Sequence, residues 1–248
     1  MIRLLIIILI IILIGISIIP NFIISLFIND ETKIYKFYCD TVRLYFKIVL
    51  FVAGVKVKVF GIDNIESFDK NEPLFIISNH RGYFDIVAGY TVINRNCSII
   101  AKESLKKVPV ISYYMKKIKS LFLNRKDLRS GAKMVIDAIN LIKQNISVWV
   151  FPEGTRNKNI NQKELLEFKA GTFKIPEKTN CYIVPMAILN SDDVFEKHFP
   201  VVKSTTLYIN VGNPYKIEEL DENEKNNIAD YSRNIMIKLL NELIMNKE

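Results

Sequence analysis

From Leu4 to Ile28 the chain carries no charged side chain, and from Leu4 to Ile19 only Ser17 is polar. Exposing such a segment to water is unfavourable, so it has to be covered by protein or lipid. Arg3 resembles the basic start of a secretory leader, but no Ala-x-Ala-like cleavage site follows the run, so the reading is a retained membrane anchor. If Pro20 stops or kinks the helix, Leu4 to Ile19 gives a rod of roughly 24 Å at ~1.5 Å per residue, short of a ~30 Å hydrocarbon core. Continued to Ile28, the rod reaches about 37 Å and is long enough.

The next segment decides between the two. Over Lys33 to Gly54, Asp40, Arg43 and Lys47 fall at i, i+3 and i+7 on one helical face, with Phe46, Val49 and Leu50 elsewhere around it. A helix of that kind prefers an interface to a bilayer centre. With Asn29 to Thr32 as the turn, the sequence favours a two-helix hairpin over residues 1–54 that dips into one leaflet, with a single span as the alternative. The roughly 220 residues outside the uncharged stretch suit one core better than two, and residues 55–248 are expected to form one α/β domain.

The formal net charge is +8 and it is unevenly spread. Ten basic residues lie between Lys102 and Lys133 against Glu103 and Asp127 alone. A solvated lysine face is one reading. Attraction to anionic phospholipid, at ~1 kcal/mol per juxtaposed basic side chain, is the other. Nucleic acid is disfavoured, because no zinc-finger spacing or aromatic RNA-binding signature accompanies the charge. Cys39, Cys97 and Cys181 are odd in number and scattered, which fits a reducing compartment and gives no metal site.

Beyond the anchor the pattern alternates. Val55, Val57 and Val59 interleave with Lys56 and Lys58 as a half-buried strand, and Leu74 to Ser78 is a continuous apolar run typical of a fully buried one. Further strands are expected at Ser98 to Ala101, Leu121 to Leu123, Val148 to Phe151, Tyr182 to Ala187 and Thr206 to Val211. A helix is expected from Asp127 to Gln144, with Leu128, Val135, Ala138, Ile139 and Ile142 as its apolar stripe. A second runs from Glu224 to Met245 through Ile228, Tyr231, Ile235, Leu239 and Leu243. Together these predict an α/β fold with a mainly parallel central sheet flanked by helices.

Two strings carry the chemistry. Asn79-His80-Arg81-Gly82-Tyr83-Phe84-Asp85 follows the buried strand, where ligands of open α/β sheets gather. On one regular helix His80 and Asp85, at i and i+5, would diverge by about 140°. They meet only if His80 lies in the loop before the helix, a turn that Gly82 makes cheap. Asp85 would then accept the imidazole Nδ1 proton and leave Nε2 free to take one from a hydroxyl. Taken alone this H-x-x-x-x-D spacing is weak, and a structural histidine is the bland alternative.

Phe151-Pro152-Glu153-Gly154-Thr155-Arg156 also follows a buried strand. Pro152 fixes the exit, Gly154 allows close backbone approach, and Glu153 and Arg156 project opposite charges. The alternatives are a surface turn with an internal ion pair, or a guanidinium for phosphate beside a carboxylate that accepts hydroxyl protons. Lys102, in Ala101-Lys102-Glu103-Ser104-Leu105, is a further candidate phosphate contact, or a solvated lysine.

In order, and with the apolar N-terminus ahead of them, these strings resemble the glycerolipid acyltransferase family over roughly residues 70 to 190. Phe122-Leu123-Asn124-Arg125 is similar to the family block whose arginine helps hold glycerol phosphate, which passes that role to Arg125 by position. Ile183-Val184-Pro185-Met186-Ala187 resembles the last block, with Pro185 shaping the donor pocket. Asn124 departs from an acidic residue common in relatives, and Gly82 from a serine. Glu153, Gly154, Thr155 and Arg156 stand in the family's substrate-binding block. The resemblance also implies a two-helix membrane motif at the N-terminus.

The implied reaction is transfer of a fatty acyl group from a thioester to the sn-2 hydroxyl of 1-acyl-glycerol 3-phosphate, with His80 as base and no acyl-enzyme. No cofactor is implied, only acyl-CoA or acyl carrier protein as co-substrate, and the catalytic domain is expected on the cytoplasmic face of the cell membrane. No G-x-S-x-G elbow or Walker-type loop is present. Rival readings are a different acceptor, such as glycerol 3-phosphate or another lysophospholipid, and a non-catalytic lipid-binding protein.

Overall fold

A computed structural model describes residues 1–159, 161–162 and 164–246. The apolar N-terminus forms two nearly continuous helices, α1 (Ile2–Ile16) and α2 (Ile18–Leu26). The break falls at Ser17, three residues before the proline. Pro20 itself sits in the first turn of α2, where its missing N–H costs no hydrogen bond, while its ring would crowd the carbonyl of Ile16 in an unbroken helix. The combined stretch Ile2–Leu26 is long and apolar enough to cross a membrane. Its outer side chains, Leu5, Leu9, Ile12, Ile16, Ile19 and Ile23, are exposed along the whole rod.

The inner side is docked on protein. Ser17 Oγ meets the hydroxyls of Tyr45 at 2.6 Å and Tyr114 at 2.9 Å, and Asn21 Nδ2 donates to the same two at 2.8 and 3.0 Å. Tyr45 belongs to α3 (Glu31–Ala53), which is N-capped by Asp30 accepting from the Lys33 N–H at 2.8 Å. Ser17 and Asn21 are thereby satisfied against tyrosines, while Ser25, the third uncharged polar residue of the rod, donates to the Phe22 carbonyl at 2.7 Å. One expectation for α3 fails. Arg43 does not share an interfacial face with Lys47; it is buried and donates to the carbonyls of Ile93 at 3.0 Å and Arg95 at 3.1 Å.

The rest follows the alternating pattern. Seven strands, β1 (Lys56–Phe60), β2 (Leu74–Ser78), β3 (Cys97–Lys102), β4 (Leu121–Leu123), β5 (Ser147–Val150), β6 (Tyr182–Leu189) and β7 (Thr206–Val211), form one sheet in the order β1-β7-β6-β2-β5-β3-β4. All pairings are parallel except β6 with β7. β2 and β5 are buried at every position, as strands covered on both faces must be. Edge strand β1 exposes Lys56 and Lys58, charges that discourage pairing with another sheet.

Helices α4 (Asp63–Glu66), α5 (Tyr83–Val92), α6 (Pro109–Lys117), α7 (Leu128–Lys143), α8 (Lys174–Thr179), α9 (Glu222–Asn226) and α10 (Ile228–Met245) complete the fold. α6 supplies Tyr114, α7 packs on β4 and β5, and α10 packs on β6 and β7. Two stripe assignments are corrected. Leu128, at the start of α7, is 93% exposed, and Met134 and Leu141 join Ala138 and Ile142 in the core. The C-terminal helix is interrupted at Asn227, and its buried side comprises Ser232, Met236, Leu239, Leu240 and Leu243.

Candidate active site

Four adjacent parallel strands, β2, β5, β3 and β4, end on the same edge of the sheet. Each delivers a candidate there: His80 two residues after β2, Glu153 to Arg156 after β5, Lys102 as the last residue of β3, and Arg125 two residues after β4. That edge is where such sheets bind ligands.

His80 lies in the loop between β2 and α5, and Asp85 in the first turn of α5. The pair closes at 2.8 Å between His80 Nδ1 and Asp85 Oδ2. The same oxygen accepts from the N–H of Arg81 at 2.7 Å and of Gly82 at 2.8 Å. An acceptor already holding two donors selects Nδ1–H as the third, so Nε2 carries the lone pair. Asp85 is fully buried, while the His80 side chain keeps 12% exposure and stacks on Phe151 with ring centroids 4.3 Å apart. Gly82 adopts φ −148°, ψ 176°, extended backbone open to any residue, so its value is not the turn. A Cβ there would lie 2.7 Å from Glu196 Oε2, and glycine is what leaves that carboxylate room.

Glu153 does not project toward solvent. It is buried, and its two oxygens accept from the N–H of His80 at 2.8 Å and of Leu166 at 2.9 Å. Register explains the reach: Ile77 pairs with Val150, which sets residue 80 across from residue 153. Burial pushes the Glu153 carboxyl above its ordinary range, opposed by those two N–H donors. On the other side of the histidine, the Asn157 N–H donates to the His80 carbonyl at 2.7 Å. Gly154 takes φ +70°, a left-handed conformation that disfavours other residues.

Arg156 makes no ion pair with Glu153. Its guanidinium lies 4.5 Å from the centroid of the exposed Tyr83 ring and 3.4 Å from Glu196 Oε1. Arg125 is exposed at the rim, and its pKa is lowered by partial burial and then by the like charge of Arg156, which brings the two guanidiniums into one field. Among the described residues neither Arg125 nor Lys102 has an acidic partner within salt-bridge distance. Together with Arg156, whose single contact to Glu196 is long, they leave positive charge at this edge of the sheet, which attracts anions. Thr155 is exposed beside them, and the Asn124 side chain accepts from the Lys126 N–H at 3.1 Å, shaping the turn that presents Arg125.

Three contributors were not picked out from the sequence. The Asn79 carboxamide substitutes for main chain, donating to the Ile188 carbonyl and accepting from the Ile188 N–H, both at 2.8 Å. Arg81 is buried against Asp192, with Nε at 3.0 Å and a terminal nitrogen at 2.9 Å from Oδ2. Glu196 caps α5 by accepting from the Tyr83 N–H at 2.7 Å. All three contacts span more than a hundred residues of sequence, and no local pattern announces them.

Comparison with known proteins gives concordant results. The family profile described as Acyltransferase matches residues 56–189. A 1-acyl-sn-glycerol-3-phosphate acyltransferase of Borreliella burgdorferi is 30% identical over 198 residues, covering 80% of this chain and 77% of the relative. The protein of the same name from Saccharomyces cerevisiae is 26% identical, covering 82% and 66%. The crystal structure of the 1-acyl-sn-glycerophosphate acyltransferase of Thermotoga maritima superposes with a TM-score of 0.80 at 23% identity, covering 98% of this chain and 96% of that one, which shows a shared fold.

Proposed function

This chain belongs to the acyltransferase family, and on that footing we propose that it transfers a fatty acyl group from an acyl thioester to the sn-2 hydroxyl of 1-acyl-glycerol 3-phosphate, giving phosphatidic acid. The observation that carries this reading is the His80–Asp85 pair at 2.8 Å opening on the same sheet edge as the Arg125 and Arg156 guanidiniums. The names of the curated relatives agree with it.

In the proposed reaction, Arg156 and Arg125 hold the acceptor's phosphate, with Lys102 on the neighbouring strand end. Charge-assisted contacts of this kind fix orientation as well as affinity. His80 Nε2 takes the hydroxyl proton as the oxygen attacks the thioester carbonyl, while Asp85 stabilises the imidazolium that forms. Collapse of the tetrahedral species breaks the C–S bond, and the proton passes from Nε2 to the departing thiolate. The acyl group goes directly from sulfur to oxygen. Acyl-CoA and acyl carrier protein both fit as donors.

The division into a hairpin, 1–54, and a catalytic domain, 55–248, belongs to the same proposal. The rod α1–α2 has an apolar outer stripe over its whole length and an inner side engaged by Tyr45 and Tyr114. A rod occupied on one side by its own protein suits insertion into one leaflet better than a span. The catalytic domain then rests on the cell membrane at its cytoplasmic face, where thioester donors occur.

Purified protein in detergent, given an acyl-CoA and 1-acyl-glycerol 3-phosphate, should release free thiol and form phosphatidic acid. His80→Ala should lower the rate about 10²- to 10⁴-fold with acceptor binding largely kept. Full activity of that variant excludes the histidine from the chemistry. No thiol release by the wild-type protein overturns the reading in favour of a lipid-binding protein.

A further inference from the structure

Glu196 comes from the second short turn after β6 and reaches two residues that precede it by 113 and 40 positions. One oxygen, Oε1, serves both the Tyr83 N–H at 2.7 Å and the Arg156 guanidinium at 3.4 Å. The other, Oε2, is buried without a partner. The Glu196 side chain is 19% exposed, that of Arg156 37%. The Arg156 contact is single, long for an ion pair, and made through one nitrogen of a group able to donate five bonds. Burial pushes the Glu196 carboxyl above its ordinary range, and the charge of Asp85 adds to that push. The Tyr83 cap holds the carboxylate in place, but its bond to Arg156 is a weak one, fit for exchange.

A phosphate monoester presents three oxygens and up to two charges, against one half-used carboxylate oxygen. Such a group competes with Glu196 for Arg156. The product of the proposed reaction keeps that phosphate, so a permanently free Arg156 would retain product as well as substrate. We propose that Glu196 is the resting partner of Arg156, exchanged for the acceptor's phosphate on binding and taken up again when the phosphate-bearing product leaves. This positioning role rests on the function proposed above. It deepens that reading by making release of the lipid phosphate a built-in property of the site.

The test compares wild type with Glu196→Gln, whose amide oxygen keeps the Tyr83 cap and the side-chain volume but removes the charge. Acyl transfer is measured with 1-acyl-glycerol 3-phosphate, with phosphatidic acid and inorganic phosphate as inhibitors, and with 1-monoacylglycerol as a phosphate-free acceptor. A partly exposed ion pair is worth up to about 1 kcal/mol, which converts to roughly 2- to 5-fold. The expected result is a 2- to 5-fold lower KM for the phosphate acceptor and similarly lower inhibition constants for phosphatidic acid and inorganic phosphate, with the phosphate-free acceptor unchanged. A merely structural role would not tighten binding of inorganic phosphate. Inhibition constants that are unchanged or higher in the variant overturn the proposal, as does an equal shift for both acceptors. If Glu196→Gln does not fold, Glu196→Ala, which also loses the Tyr83 cap, is read through the inorganic phosphate inhibition constant alone: it should still fall about 2- to 5-fold, and an unchanged or higher constant overturns the proposal. Wild type that transfers no acyl group refutes the proposed function itself, whereas an active wild type with unshifted constants refutes only this inference.

Discussion

Asp85→Asn is the substitution that most directly examines the histidine's orientation. One carboxylate oxygen, fully buried, accepts three hydrogen bonds at 2.7 to 2.8 Å, from His80 Nδ1 and from the N–H groups of Arg81 and Gly82. Placed with its oxygen at that position, asparagine keeps the geometry and loses the charge. A bond to a charged group is worth about 1 kcal/mol more than a neutral one, so three bonds amount to about 3 kcal/mol of stability. The amide nitrogen then stands where Oδ1 is buried without a partner, which adds a desolvation cost of about 1–3 kcal/mol. For catalysis the lost charge faces the imidazolium as it forms, and the rate should fall about 10²- to 10⁴-fold, bounded by what the histidine itself contributes. The assay is initial-rate thiol release with both substrates saturating, alongside thermal unfolding in the same detergent. Because Asp85 acts through His80, the double variant His80→Ala/Asp85→Asn should be within about 3-fold of His80→Ala, the non-additivity expected of residues that act as a unit. Retention of more than about a tenth of the rate in Asp85→Asn, or a double variant slower by a further factor of about 100, would refute the arrangement.

Arg156→Ala should raise KM for the phosphate acceptor about 10- to 100-fold with kcat nearly kept, since a charge-assisted bond is worth roughly 1.5–3 kcal/mol; steady-state kinetics check it. Glu153→Gln replaces an acceptor of two N–H groups with a side chain that accepts only one, and chemical denaturation should show a loss of about 1–3 kcal/mol at neutral pH. The folded-state pKa of Glu153 is raised, so the native protein takes up this proton more readily than the unfolded chain, and the carboxyl's contribution is fully present below the unfolded value and lost as pH rises through the folded one. The stability gap between wild type and Glu153→Gln should therefore widen as pH falls from neutrality through the raised glutamate range. Asn21→Leu removes a donor from the hydroxyls of Tyr45 and Tyr114 and should lower stability by about 1 kcal/mol, read as a lower thermal midpoint in detergent.

All seven strands were legible because each is a short apolar run, alternating with lysine in β1, cut off by polar or turn-forming neighbours. His80 and Asp85 were legible as a pair because their spacing admits only one way of meeting, across the start of a helix. The sequence left open whether the apolar rod stops at Pro20 or runs on; it runs on to Leu26 with its irregular turn at Ser17, since proline disturbs the turn before it and is itself at ease in a first turn. Arg43 was misread because periodicity reports a face and not what that face meets; here it meets two carbonyls at the end of α5 and beyond. Glu153 was assigned outward beside Arg156, but register across β2 and β5 turns its carboxylate to main chain instead. Asn79, Arg81 and Glu196 depend on β6 and the turns after it, and nothing in their own neighbourhoods encodes that distant encounter.

The string after β5 grips both main-chain groups of His80, through the carboxylate of Glu153 on its nitrogen and the N–H of Asn157 on its oxygen. With Phe151 lying against the ring and Asp85 on Nδ1, backbone and imidazole are pinned from four directions. The two strings thus behave as halves of one clasp. Grafting either into another scaffold without its counterpart would leave the base adrift, and altering acceptor preference is better attempted at the arginine rim than at the histidine.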